Sequence, residues 1–130
     1  SLIKRLLNEI GPSGPFSFLV YLYQLIAMGK FIQFISGADD AATFHSKNFI
    51  NMSCLADGVL VMRFVPSSKG MSDAIDTVTI QINSNTEAAV MGAIANELAY
   101  GSDALVVVCN DVTGNHIHPD INSCAITLDL

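Results

Sequence analysis

FINMSCLADGVLVMRFV, residues 49–65, places two apolar, β-rich runs on either side of Asp57-Gly58. Asp-Gly tolerates positive φ, and between such runs it predicts a two-residue turn of type I′ closing an antiparallel hairpin. Working outward, Phe31–Ser36 predicts a first strand and the polar stretch 37–48 a loop. Pro66 ends the hairpin ahead of a polar, Gly-containing loop. Beyond it Val78, Ile80 and Ile82 alternate with Thr77, Thr79 and Gln81, the period of a half-buried strand.

Ser84 stands three residues before Glu87, the spacing of a capping box, so a helix is expected to start there. Its apolar stripe would be Val90, Met91, Ile94, Ala95 and Leu98. Gly101 is placed to end it in the left-handed conformation, and the small Gly92–Ala93 face is expected to be solvated. ALVVVC at 104–109 is too short for a helix and too apolar for an exposed strand, which assigns it to the middle of a sheet or to a subunit interface. The segment 121–130 alternates again, with Cys124, Ile126, Leu128 and Leu130 on one face. About six strands, one long helix and one tight hairpin predict an α+β fold, built on a mainly antiparallel sheet or a small β-barrel.

The segment 16–28, FSFLVYLYQLIAM, is apolar except at Ser17 and Gln24, and it falls short of the roughly 20 residues of a membrane-spanning helix. Lys4 and Arg5 resemble the basic end of a signal peptide, but Glu9 intrudes and no small-x-small site follows. The expectation is an N-terminal extension over 1–27, with a helix as one form of it, and a single domain over 28–130 that starts at Met28. Neither secretion nor stable membrane insertion is expected, which leaves a cytoplasmic or virion-associated protein.

With 51% hydrophobic and 14% charged residues in 130, the chain has few charges to cover its own surface, so it is expected to associate with itself as a homo-oligomer. A net charge of −6 and scattered Lys and Arg residues argue against nucleic-acid binding. Cys54, Cys109 and Cys124 lie in strand-like apolar runs without a CxxC pair, and read as buried small hydrophobes.

The densest group of metal-capable side chains is CNDVTGNHIHPD, with Cys109, Asp111, His116, His118 and Asp120. In an extended segment His116 and His118 would point the same way, as two ligands of one zinc need, with a carboxylate as a third. No known zinc spacing is matched, and turn chemistry alone collects such residues in a loop. Asp39 and Asp40, with Asp57, lack the alternation of a calcium loop and read as turn formers. A nucleophile built from Cys54 or Cys109 with His45 or His116 would need an exposed, activated thiolate, which apolar runs do not provide. No phosphate-cradling glycine pattern occurs. The sequence therefore assigns no catalytic, cofactor-binding or metal-ligating residue, and the chain is expected to be non-enzymatic. A small-molecule or metal-binding domain using loop 110–120 is the alternative.

From Met28 onward the order of pieces is a KFI-type strand, a hairpin, TVTIQI, the Ala-rich helix NTEAAVMGAIANELA and closing apolar strands. This layout resembles small proteins encoded by marine bacteriophages and found in ocean metagenomes. The resemblance implies an Sm-like β-barrel and a role as a virion or assembly component. The RNA binding usual for Sm-like barrels is not carried over, for want of a basic surface or an aromatic stacking platform.

Overall fold

The computed structural model describes residues 29–66 and 75–129. The proposed extension 1–27 and the start at Met28 lie outside them. Among the described residues, eight strands and one α-helix, with a 3-10 turn at Ser46–Asn48, follow in the order β1 (Phe31–Gly37), β2 (Asp40–His45), β3 (Phe49–Ala56), β4 (Val59–Phe64), β5 (Asp76–Ile82), α1 (Glu87–Tyr100), β6 (Leu105–Asn110), β7 (Asn115–His116) and β8 (Ile121–Thr127). They form two four-stranded sheets, β2-β1-β6-β7 and β3-β4-β5-β8. The fold is α+β as expected, and the strands form two sheets without closing into a barrel among the described residues. All pairs are antiparallel except β1 with β6.

The core lies between the sheets. Ile32 and Phe34 of β1 face Leu60, Met62 and Phe64 of β4 and Val78 and Ile80 of β5, all fully buried. Phe44 of β2 stacks on Phe64 with centroids 4.1 Å apart, and Phe34 meets both rings edge-on at 6.0 and 5.9 Å. The helix connects one sheet to the other and buries Val90 and Ile94 against this core, with Met91 and Leu98 partly buried. Ala95 is exposed, so the buried stripe is narrower than expected, and nothing described lies within 4 Å of a Cβ at Gly92.

Four expectations about local structure need correction. The stretch 37–48 is no loop: Ala42 and Phe44 alternate with Ala41, Thr43 and His45, and β2 pairs along β1 from Phe31–His45 to Gly37–Asp40. Its polar residues belong to the solvent face and turn of an edge strand. The hairpin falls where expected, but Gly58 alone has positive φ (78°), whereas type I′ requires it at both turn positions. Glycine is also required there by space, because a Cβ would come within 2.9 Å of the Ile82 carbonyl.

The capping box does not form. The helix starts at Glu87 with Thr86 at the cap and no side-chain cap bond. Glu87 Oε1 instead accepts the Gly58 amide at 2.9 Å, and the Ser84 hydroxyl donates to Asp57 Oδ2 at 2.5 Å. Both residues of the motif are spent on the β3–β4 turn, a tertiary partner invisible to a local pattern. Gly101, too, is extended (φ −64°, ψ 152°), not left-handed. The end of the helix is held by Lys30, whose ammonium donates to the carbonyls of Gly101 (2.6 Å) and Asp103 (2.7 Å), a cation placed where the helix dipole is negative.

The Ser84 hydroxyl above all, with Glu87 and the Asn85 amide beside it, holds the Asp57 carboxyl below the usual carboxylate range. A depressed folded pKa stabilises above the unfolded value and is lost as pH falls through the folded one. Asp57→Asn should therefore unfold more easily than the parent near neutrality, and the difference should shrink below about pH 4 when both are followed by urea unfolding.

Candidate metal centre

Strand β6 carries a bulge. Gln33 pairs with Val107 but Phe34 pairs with Cys109, leaving Val108 without a partner. Side chains on a regular strand alternate between faces, and the extra residue breaks that rule, so Val108 and Cys109 are both fully buried. The chain then turns through Asp111–Gly114. Asn110 Oδ1 accepts the Val112 and Thr113 amides at 3.1 and 3.2 Å, and Gly114 (φ 76°) returns its amide to the Asn110 carbonyl at 2.8 Å. The return strand β7 sets His116 opposite Cys109.

Ligand atoms of Cys109, Asp111 and His116 consequently lie within 4.8 Å of one another. Cys109 Sγ is 3.2 Å from Asp111 Oδ1, and Asp111 Oδ2 accepts the Cys124 amide of β8 at 3.1 Å. His116 Nδ1 accepts the Asn110 amide at 3.2 Å, which puts the proton of the neutral ring on Nε2. A hollow of about 460 Å³, lined in part by His116, His118 and Asn115, opens this side of the hairpin to solvent.

The Cys109 and Cys124 thiols act on each other's ionisation. Contact with Cys124, burial and the Asp111 carboxylate push the Cys109 thiol far up, while the Cys109 contact draws Cys124 down. A neutral, fully enclosed Cys109 is the reverse of an activated nucleophile. Cys54 is no better placed. It is exposed on the edge strand β3, against expectation, with Sγ 3.8 Å from Met91 Sδ, and desolvation and Glu87 raise its pKa. His45 Nδ1 accepts the Lys47 amide.

The five residues expected as one loop cluster divide into two groups. His118 does not join His116: its Nδ1 accepts the Asp120 amide at 3.1 Å and lies 3.6 Å from Asp120 Oδ2. Asp120 Oδ1 in turn accepts from Asn83 Nδ2 at 3.0 Å, which ties the loop to the end of β5. Asp39, Asp40 and Asp57 do not converge, since Asp40 takes the Ser36 hydroxyl and Asp57 the Ser84 hydroxyl. The residue missed from sequence is Cys124, brought to Cys109 by the packing of one sheet on the other. Its only signal was a second cysteine in a closing strand. No known family, curated protein or solved structure matches the chain.

Among the described residues no helix is long and apolar enough to cross a membrane. Asp111 joins β6 to β8 through two hydrogen bonds, so Asp111→Ala leaves a part-buried amide and thiol without an acceptor. It should cost the metal-free protein about 1–3 kcal/mol in urea unfolding.

Proposed function

We propose that the chain is a metal-binding domain in which the β6–β7 hairpin takes one zinc-class divalent ion through Cys109, Asp111 and His116. The observation that carries this is the convergence of a sulfur, a carboxylate oxygen and an imidazole nitrogen within 4.8 Å. Mixed sulfur, nitrogen and oxygen donors suit zinc, whereas calcium and magnesium take oxygen alone. The Nδ1 lone pair of His116 is taken by the Asn110 amide, a hydrogen bond that an ion at Nδ1 would displace. Three protein ligands leave a fourth position for another donor, and a fully buried Cys109 favours binding over catalysis. Zinc-buffered titration and thermal melts should show one ion per chain. At a hundredfold excess over Kd the stabilisation should be about 2.7 kcal/mol. Cys109→Ser and His116→Ala should lose that gain and His118→Ala should keep it. Equal behaviour of all three variants would overturn the assignment.

A second reading, self-assembly, is favoured by the outer face of the sheet β2-β1-β6-β7. Phe31 pairs with Leu105 and Gln33 with Val107, and Phe31 and Leu105 remain 39% and 47% exposed. The outer face of the other sheet carries Arg63, Thr77, Thr79 and Gln81 instead. An uncharged sheet face of this kind suits a second copy, in keeping with the assembly role implied by the phage-protein resemblance and with a cytoplasmic or virion-associated chain. Light scattering on the full chain should give an oligomer that Leu105→Lys reduces to a monomer, and a monomeric parent would remove this reading.

A further inference from the structure

We propose that the open end of the core beside Phe44 binds a small primary ammonium ion with an apolar body, held by the carboxylate of Asp76. The site shares no residue with the β6–β7 hairpin and does not rest on the metal-binding reading. Side chains of β5 alternate, and its buried set runs Asp76, Val78, Ile80 and Ile82. The period that sends three aliphatic residues into the core therefore sends a carboxylate the same way at the strand's first position, where Asp76 pairs with Phe64. Asp76 is the one buried charged side chain among the described residues, 5% exposed. Its Oδ1 accepts the Asp129 amide at 2.8 Å, and no described residue supplies it with a further hydrogen bond or a cation. A carboxylate taken out of water is costly unless a positive charge or several donors meet it.

Asp76 lines a hollow of about 260 Å³ to which Phe44, Val65 and Leu128 give apolar walls. Asp129 adds a second acidic residue, and no lysine or arginine is among the lining residues. Consecutive residues 41–45 of β2 border it as well. Side chains on a strand alternate, so a run of neighbours means that the strand's edge, rather than one face, is turned to the hollow. β2 is the outer strand of its sheet, and carbonyls along that edge have no strand partner among the described residues. An ammonium group answers this arrangement with one positive charge, three N–H donors and no acceptor. The charge and one N–H meet Asp76, the other donors have the edge carbonyls, and the apolar body lies against Phe44. The hollow is smaller than the roughly 300–1,000 Å³ of sites for drug-sized ligands, which sets the occupant as a small amine.

The test titrates the full chain, labelled with nitrogen-15, with benzylamine near neutral pH, where the amine is protonated. Amide signals of Phe44 and Asp129 should shift saturably, as for one site per chain. Benzyl alcohol, the uncharged counterpart, should bind about tenfold more weakly or not at all. Potassium chloride at the same concentration should leave those amides unmoved. Asp76→Asn keeps an oxygen for the Asp129 amide, so it should melt with the parent and bind the amine only as weakly as the alcohol. Equal binding of amine and alcohol, an undiminished affinity in a folded Asp76→Asn, shifts confined to other parts of the chain, or the same shifts with potassium would each overturn the proposal. Should Asp76→Asn fail to fold, the comparison of amine with alcohol on the parent decides it alone.

Discussion

Phe44 stacked on Phe64 is the contact on which the rest of the molecule depends, because it seats one sheet on the other. Phe44 comes from an edge strand and Phe64 from the end of β4, an interior strand of the other sheet, so the pair clamps the two sheets together. Phe34 meets both rings edge-on, the arrangement in which the positive ring edge faces the negative ring face. With that end fixed, the distance between the sheets is set for everything further along β1 and β4, including the level at which β6 and β8 approach each other.

The bulge at Val108 matters because of that fixed spacing. A regular strand would send Val108 and Cys109 to opposite faces. The extra residue keeps Val108 in the core and also turns the Cys109 thiol inward, towards β8. A second irregularity lies in the other sheet, where Gln81 pairs with Ser123 but Ile82 pairs with Ile121. The Asp111 carboxylate then joins the strands across the gap, one oxygen to a thiol and the other to an amide.

The hairpin at 49–65, the period-two strand at β5 and the apolar β6 were legible in the sequence because each is governed by neighbours one or two residues away. What was hidden depended on distant partners. Ser84 and Glu87 have capping-box spacing, yet their side chains serve the β3–β4 turn, and no local pattern records that competition. Phe44 was lost among Asp, Thr, His and Ser residues that mark the exposed face of an edge strand as readily as a loop. At the site, Cys109, Asp111 and His116 stood out by composition. The separation of His118 from His116 could not be read, because it depends on Asp120 being drawn to Asn83, and Cys124 could not be added before the second sheet was in place.

The same burial bears on the metal-binding reading of the β6–β7 hairpin. Contact with Cys124, and then enclosure between the sheets, push the Cys109 thiol up, which deprives it of nucleophilic character towards solvent electrophiles. On the proposed metal-binding reading, a divalent ion would replace the proton on sulfur with a stronger positive charge beside the Asp111 carboxylate. A cysteine made inert by its surroundings becomes a good ligand for the same reason: water does not compete for its one available partner. Cys124, a strand away and slightly exposed, is the point at which that enclosure is incomplete.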